Sequence, residues 1–409
     1  MNWFKSKAKT EAKIDQNEVR AAPQVPPRPR RRDNQHNAKP RKNDNQPDAG
    51  PDAGPDEYEV RLMQNRHVSL LDSLERCTSG ETNRMVRVKS LPRGGEARIW
   101  LLRREKDQKL IVCKANPHGR YSQATPYEVR VLQGLLPAHD RIIRLRDWFS
   151  GPKSTQMYFD FFDGGDLEQL SYQYYRRRAR FPESFLWHVF LQLTEAVAFI
   201  HYGYDVRRGR KQPAKWQRII HRDIKPQNIF LRLPLSYPGR GLYPHLVLAD
   251  FGLASLKDTS DRLVGTPEFQ PPELPLATRK ADVWAIGAVM HSLIFDGQPP
   301  LAPKPAGCLQ DDWACDPAAR QPKIITGQYS VDLASCLYQA LTPDPDERVN
   351  SIRLLNAILD SEGRQACMKK DWKPLGDWAF SQDPRENPKS NKNLSKVSSR
   401  DSDLRILLD

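Results

Sequence analysis

The spacing of apolar residues changes near residue 163 from a pattern typical of strands to one typical of helices, and this change constrains the fold more than any other feature. Before that point, short apolar segments alternate with polar residues or are separated by glycine and charged residues, which indicates antiparallel strands. After it, apolar residues recur at helical spacing. Strands followed by helices predict an α+β fold of two unlike lobes, with the boundary in the turn Asp163-Gly164-Gly165.

The predicted smaller lobe covers residues 84–162 and the larger lobe residues 163–362. In the smaller lobe we predict one main helix over residues 127–136, and strands over residues 84–90, 99–102, 110–113, 142–149 and 157–162. In the larger lobe we predict helices over residues 184–201, 281–295, 331–341 and 351–359.

Both ends of the chain differ in composition from the lobes. Residues 1–57 are rich in proline, arginine, asparagine and aspartate, so we expect a disordered tail, followed by an extension over residues 58–83. Residues 363–409 are predicted to form a basic tail rich in serine and asparagine. Two tryptophans in it, Trp372 and Trp378, are candidates for docking on the folded lobes.

The net charge of +14 is concentrated in a few segments. The basic, proline-rich segment 23–32 is a candidate ligand for an SH3-type domain or an import receptor, with a solvated tail as the alternative. The basic clusters in residues 176–180 and 207–218 have too few interleaved aromatic residues to favour a nucleic-acid partner, so we interpret them as solvated loops.

Composition also predicts the compartment. No apolar run approaches the roughly 20 residues that cross a bilayer, and the N-terminus lacks a secretory signal, so we expect no membrane partner and a location in the cytoplasm or nucleus. The six cysteines lie far apart, which predicts reduced thiols rather than a disulfide framework or a zinc site. The oligomeric state is not predicted from these features.

Two short motifs carry the strongest functional signal. The first is the run HRDIKPQN at residues 221–228, and the second is Asp250-Phe251-Gly252. In this order and spacing they resemble the catalytic loop and the metal-binding motif of eukaryotic protein kinases of the serine/threonine type. The resemblance covers residues 84–359 and implies the bilobal protein kinase fold, with a small antiparallel sheet lobe and a larger, mainly helical lobe.

The resemblance implies transfer of the ATP γ-phosphate to a serine or threonine hydroxyl of a protein substrate, with Mg²⁺ as the metal. Asp223 would accept the proton of that hydroxyl, and Lys225 would contact the transferring phosphate. Asn228 and Asp250 would hold Mg²⁺. Lys225 together with Thr266 is typical of serine/threonine rather than tyrosine kinases. Taken singly, each carboxylate could equally be a surface charge or a helix cap.

Further landmarks follow in the order found in the family. The segment 265–273 resembles the loop that docks the protein substrate, here called the docking loop, and residues 282–287 resemble the buried helix that braces the catalytic loop. We expect Arg348 to pair with Glu273 and so to fix the docking loop to the larger lobe.

Regulation by phosphorylation is also implied. Arg222 resembles the arginine that binds a phosphorylated activation loop, and Thr259 and Ser260 are the candidate acceptors.

Lys114 ends the third predicted strand and resembles the lysine that contacts the α- and β-phosphates of ATP. Glu128 is its candidate partner in an ion pair, and both residues are assigned to the catalytic set. Alternatively, Thr125, Pro126 and Glu128 match a capping box, in which Glu128 binds backbone donors and does not reach Lys114. We favour the ion pair.

The nucleotide site is predicted from looser matches. Gly94 is the one glycine among the three expected in the phosphate loop, because Pro92 and Ala97 occupy the other two positions. Glycine lets backbone amides approach phosphate closely, so weak ATP binding is a possible consequence. Ile99 would pack on adenine, and Val112 is assigned to the same site.

The connector between the lobes is expected to bind the purine through main-chain groups of Asp160 and Phe162, with Phe159 at the rear of the pocket. Asp166 resembles the acidic residue that binds the ribose, and Phe230 is assigned to the nucleotide site. The phenylalanines of the connector could equally be core residues.

Two alternatives to an active protein kinase stay open. The unusual phosphate loop would suit a pseudokinase scaffold with weak or no phosphotransfer. A kinase acting on a lipid or another small molecule is the second alternative, and the docking loop argues against it.

Overall fold

The computed structural model describes residues 85–91, 97–117, 126–151, 154–206, 209, 215–237, 242–258, 264–325 and 327–380. The predicted tail over 1–57, the extension over 58–83 and the chain beyond residue 380 lie outside the described residues.

The smaller lobe contains a five-stranded antiparallel sheet with the strand order β1-β2-β3-β5-β4. Its strands are β1 (Met85–Leu91), β2 (Arg98–Arg104), β3 (Leu110–Pro117), β4 (Leu145–Ser150) and β5 (Ser154–Asp160). Buried and partly exposed residues alternate along β3 and β5, as expected for strands with one face on a core. The predicted sheet is therefore confirmed.

One helix accompanies the sheet, but it is not a regular α-helix. It begins as α1 (Tyr127–Val129) and continues as a π-helix over Arg130–Leu135. The Leu136 amide donates to the Val131 carbonyl, which is the π-helical pattern. Gly134 lies in this segment, and glycine stabilises a regular helix less than any residue except proline.

The fourth strand begins later than predicted. β4 starts at Leu145 rather than at residue 142, because the preceding segment pairs with the larger lobe. The Ile143 amide donates to the Leu248 carbonyl (2.9 Å), and the Leu248 amide donates to the Arg141 carbonyl (2.8 Å). Main-chain groups used in this way cannot pair with β5. β5 itself ends at Asp160, before the predicted end at residue 162.

The larger lobe is mainly helical, as predicted. Its helices are α2 (Leu167–Arg176), α3 (Glu183–Tyr202), α4 (Arg279–Ile294), α5 (Gln310–Cys315), α6 (Val331–Ala340), α7 (Ser351–Asp360) and α8 (Glu362–Lys370). Two short strands, β6 (Ile229–Arg232) and β7 (His245–Leu248), pair antiparallel. Most residues of α3 and α4 are buried, so these helices form the centre of the lobe. Within the described residues, no helix has the length and hydropathy that a membrane span requires.

The folded body extends beyond residue 362, where we placed the start of the C-terminal tail. α8 crosses that boundary, and residues 371–380, here called the C-terminal strap, pack on the larger lobe. The Trp378 ring lies 4.7 Å from the Tyr174 ring, and the Arg177 guanidinium lies 4.5 Å from the centre of the Trp378 ring. Trp372 packs against the same core. Both tryptophans therefore dock on the larger lobe.

We predict that Trp378→Ala lowers the free energy of unfolding by about 2 kcal/mol, because it removes a partly buried ring and its contact with Arg177. Trp378→Phe keeps an aromatic ring and should recover part of this loss. Thermal unfolding of the full chain measures both variants, and an unchanged melting temperature for Trp378→Ala would contradict a stabilising role of the C-terminal strap.

Candidate active site

A buried carboxylate fixes the catalytic loop. Asp282 lies in the first turn of α4 and is 1% exposed. Its oxygens accept the main-chain N–H groups of His221 (2.7 Å) and Arg222 (2.9 Å), and one of them lies 2.9 Å from His201 Nε2. Arg222 has a φ of 71°, in the left-handed region that few residues with a side chain adopt. The bonds to Asp282 stabilise this conformation.

His221 connects the catalytic loop to the second motif. Its Nε2 donates to the Ala249 carbonyl (3.0 Å), and its Nδ1 accepts from the Asp223 amide (3.3 Å), an arrangement that places the ring proton on Nε2. Phe251 is buried and packs edge-on against the His221 ring at 4.7 Å. Asp250, directly before it, therefore faces away from the core, with 45% of its side chain exposed.

Asp223 accepts contacts from three side chains. Asn228 Nδ2 donates to Asp223 Oδ2 (3.0 Å), the Thr266 hydroxyl donates to Oδ1 (2.8 Å), and Lys225 Nζ lies 2.9 Å from Oδ2. Lys225 Nζ also donates to the Thr266 hydroxyl oxygen (2.7 Å). The structure thus brings together three predicted site residues, namely Asp223, Lys225 and Asn228, and adds Thr266 to them.

Lys114 joins the two lobes at the site. Its Nζ lies 2.7 Å from Glu128 Oε2 and 2.8 Å from Asp250 Oδ1. Burial lowers the pKa of Lys114, but the two carboxylates outweigh this effect, so its pKa lies above the ordinary value. Burial raises the pKa of Asp250, but Lys114 outweighs it, so that pKa lies below the ordinary value.

Glu128 forms the ion pair and not the cap of a capping box. α1 begins at Tyr127 with Pro126 as its N-cap residue and no side-chain cap, and Glu128 is 3% exposed beside Lys114. Thr125, the other member of the capping box, lies outside the described residues.

The predicted nucleotide residues of the sheet share one face. In the register of β2 and β3, Ile99 is paired with Lys114, and Val112 lies two positions before Lys114, so the three side chains face the same way. Phe159 is paired with Val112 from β5 and is buried, as expected for the rear of the pocket. Gly94 lies outside the described residues, and its role stays a prediction.

The connector and β6 bring the remaining nucleotide residues together. The rings of Phe162 and Phe230 stack with centres 5.5 Å apart, and Asp166 forms an isolated bridge with Phe230. Asp166 caps α2 by accepting the Gln169 amide (2.8 Å), and burial raises its pKa to about 6. The Asp160 carboxylate is engaged in ion pairs with two basic side chains, and the purine contact of its main chain stays a prediction.

The docking loop is tied to the larger lobe at both ends. Glu273 and Arg348 form the predicted bidentate pair, with contacts of 2.6 and 2.9 Å. Gln270 Nε2 donates to the Arg222 carbonyl (2.9 Å). Gly265 has a φ of 92°, and a Cβ there would lie 2.3 Å from the Arg222 carbonyl oxygen. This close approach requires glycine.

The donor set at the site fits Mg²⁺. Asn228 Nδ2 donates to Asp223, which leaves the amide oxygen as the group available to a cation, and one oxygen of Asp250 contacts Lys114. No group of three or more histidine, cysteine, aspartate or glutamate residues suited to a metal occurs within the described part of the chain. Mg²⁺ is usually bound by one or two carboxylates together with substrate phosphates and water, so Asn228 and Asp250 suffice.

Comparison with known proteins agrees with this geometry. The family described as protein kinase domain matches residues 85–358. The chain belongs to the protein kinase family. The family and the bilobal fold implied by the motifs are thereby confirmed.

Similar curated proteins are named as kinases. The G2-specific protein kinase nim-1 of Neurospora crassa is 26% identical, over 68% of this chain and 33% of that protein. The probable serine/threonine-protein kinase nek2 of Dictyostelium discoideum is 27% identical, over 65% and 60%. Serine/threonine-protein kinase ULK3 of Rattus norvegicus is 28% identical, over 54% and 42%. The chain thus spans less than two thirds of the length of each of these relatives.

Two contacts in this kinase domain were not predicted from the sequence. From the sequence, Thr266 was used only to distinguish serine/threonine from tyrosine kinases. Its position beside Gly265 in the docking loop could have indicated its contact with Asp223 of the catalytic loop. Arg320 donates to main-chain carbonyls of the docking loop, at Pro267 and Gln270. It lies outside every motif, so the sequence offered no signal for it.

We predict that Glu273→Ala lowers the free energy of unfolding of this kinase domain by about 3 kcal/mol, because it leaves the buried Arg348 guanidinium without its carboxylate. The matched control is Asp107→Ala, which removes an exposed bidentate pair with Arg104 and should leave stability unchanged. Thermal unfolding compares the two variants, and equal effects would contradict the assignment of Glu273 as a structural anchor.

Proposed function

We propose that this chain is a serine/threonine protein kinase that transfers the γ-phosphate of ATP to a hydroxyl group of a protein. The observation that carries the proposal is the convergence of residues from both lobes. Lys114 of the sheet contacts Asp250 of the second motif, close to the network around Asp223. Phosphoryl transfer needs a positioned cation, a metal-binding carboxylate and a base for the attacking hydroxyl, and this arrangement can supply all three.

In the proposed reaction the smaller lobe binds ATP. Ile99 and Val112 would contact adenine from the sheet, and the ammonium group of Lys114 would bind the α- and β-phosphates. Glu128 orients Lys114, since its buried carboxylate is 2.7 Å from Nζ. Asn228 and Asp250 would hold Mg²⁺, which would offset the charge of the phosphates.

The larger lobe would then activate the acceptor. The substrate hydroxyl oxygen forms a bond to the γ-phosphorus, the bond from that phosphorus to the β–γ bridging oxygen breaks, and ADP leaves with the electron pair. Asp223 accepts the proton of the hydroxyl, and Lys225 stabilises the phosphoryl charge during transfer. The Thr266 hydroxyl donates to Asp223 at 2.8 Å, which supports the ability of this carboxylate to bind a hydroxyl donor.

The alternatives receive less support. The names of the relatives describe serine/threonine-protein kinases, and the site has a cation and a carboxylate at each position that transfer needs, which does not favour a pseudokinase scaffold. A docking loop anchored by Arg348 and Gln270 suits a protein substrate better than a small molecule.

Two functional predictions concern residues outside the described part of the chain. These are the acceptors Thr259 and Ser260, and the binding of segment 23–32 to an SH3-type domain or an import receptor. Localisation in the cytoplasm or nucleus is likewise a prediction.

We predict that Asp223→Asn reduces the turnover of protein phosphorylation by about 10²-fold or more, because an amide cannot accept the hydroxyl proton. Nucleotide binding should persist, since Asp223 does not contact the nucleotide face of the sheet, whereas Lys114→Met should weaken it. Radiolabel transfer from ATP to casein measures the first effect, and thermal stabilisation by Mg²⁺-ATP measures the second. Full activity of Asp223→Asn would contradict the assigned base.

We also predict that ATP binding weakens as the pH falls through about 6, where the half-buried Asp166 takes up a proton and loses the charge that would bind the ribose hydroxyls. Burial is the main cause of the raised pKa, and Glu168 adds to it. Since this pKa is raised above its unfolded value, protonation of Asp166 favours the fold as the pH falls, so the loss of affinity is not a loss of stability.

The measurement is kcat/KM for ATP as a function of pH, which reports groups of the free enzyme. Asp166→Asn should show a higher KM for ATP at neutral pH and lack the inflection near pH 6. An inflection that persists in Asp166→Asn would assign it to another group.

A further inference from the structure

Arg320 is a buried arginine whose backbone is fixed next to the docking loop. It follows the 3₁₀ turn Pro317–Ala319 and is 6% exposed. The Ala302 amide donates to the Ala319 carbonyl (2.7 Å), and the Gln321 amide donates to the Pro300 carbonyl (2.9 Å), so the chain is paired on both sides of Arg320. This pairing leaves the Arg320 side chain little freedom except to point inward.

The guanidinium binds main-chain carbonyls. Nε donates to Gln270 (3.1 Å), Nη2 donates to Pro267 (2.8 Å), and Nη1 donates to Asp316 (2.7 Å). The first two carbonyls belong to the docking loop and lie at the two ends of its 3₁₀ turn, Pro267–Phe269. A planar guanidinium with donors in fixed directions can hold both ends of such a turn at once.

Burying the charged guanidinium of Arg320 has a desolvation cost. Burial lowers the pKa of Arg320, and the charges of Asp316 and Glu268 offset this only in part. Within the described residues, no carboxylate lies within the 4.0 Å of an ion pair with this guanidinium. The three carbonyls therefore provide the main compensation for burying this charge, so the side chain and the docking loop are held in one arrangement.

The carbonyls that Arg320 binds belong to residues next to, or in direct contact with, the catalytic loop. Pro267 directly follows Thr266, whose hydroxyl contacts Asp223. Gln270 donates through its side chain to the carbonyl of Arg222, the residue before Asp223. A shift of the 3₁₀ turn would therefore move the docking loop relative to the base.

We propose that Arg320 is a positioning residue that sets the docking loop against Asp223, and thereby determines the affinity and alignment of the protein substrate but not the affinity of ATP. This inference rests on the proposed function. We expect this difference between the two substrates because the guanidinium of Arg320 binds the docking loop and Asp316, and these three hydrogen bonds reach no residue assigned to the nucleotide site.

The test compares Arg320→Met and Arg320→Lys in the full chain, with casein as the probe substrate. We expect Arg320→Met to raise the KM for casein about tenfold, equivalent to about 1.4 kcal/mol. The KM for ATP should stay within about twofold of wild type. Arg320→Lys keeps the charge but not the fork of donors, so we expect it to recover only part of the loss. If Arg320→Met does not fold, the lysine variant carries the same comparison.

Arg364 provides a matched control. Its Nε and Nη2 also donate to two main-chain carbonyls, those of Ile358 (2.7 Å) and Leu359 (3.1 Å), at the junction of α7 and α8. Arg364→Met should lower the melting temperature and leave the KM for casein unchanged. A similar rise of that KM in Arg364→Met would show that general destabilisation causes the effect, and would overturn the proposal.

Hydrogen–deuterium exchange separates failure of this inference from failure of the proposed function. Exchange of residues 264–273 should be faster in both Arg320 variants than in wild type, whether or not the chain phosphorylates casein. Unchanged exchange in these residues, or equal rises in the KM for casein and for ATP, would overturn the role of Arg320. A wild-type chain that transfers no phosphate, but whose docking loop shows this faster exchange in the variants, would contradict the proposed function and leave the positioning role of Arg320 supported.

Discussion

The carboxylate of Asp282 is the interaction on which the rest of the site depends. It lies in the core of the larger lobe and accepts two main-chain N–H groups of the catalytic loop. An unpaired buried N–H costs free energy, so this carboxylate holds the loop in one arrangement. The His221 side chain in turn donates to the carbonyl of Ala249, the residue directly before Asp250, and so connects the catalytic loop to the second motif. One buried acid thus sets the positions of both Asp223 and Asp250.

Each ammonium group of the site is paired with a carboxylate, but the carboxylates outnumber the ammonium groups. Glu128 and Asp250 share the ammonium group of Lys114, and Asp223 lies beside Lys225. Three carboxylates therefore face two ammonium groups, which leaves an excess of negative charge. Under the proposed function, such a site would repel a bare polyphosphate and favour one that arrives with a divalent cation.

Residues in motifs that the resemblance covers could be predicted from the sequence, including the distant pair Arg348 and Glu273, whereas contacts with main-chain groups far along the chain could not. The catalytic and metal-binding motifs are contiguous, so the resemblance located them. The predicted start of β4 was wrong because the segment before it pairs with β7, a strand far along the chain. Glu128 fits two local patterns, of which the sequence favoured the ion pair, and the position of Lys114 in space decides between them. Arg320 binds carbonyls, which every residue carries, so no residue type marks its partners.

Two arginines hold the docking loop from different points of the larger lobe. Arg348 binds the carboxylate of Glu273 at its end, and Arg320 binds the carbonyls on either side of the turn that follows Thr266. The docking loop is thereby fixed to the same lobe as Asp223. The proposed nucleotide residues of the sheet, by contrast, belong to the smaller lobe. Lys114 of the smaller lobe contacts Asp250 of the larger lobe, and in the proposed reaction this contact would align the phosphate donor with the acceptor.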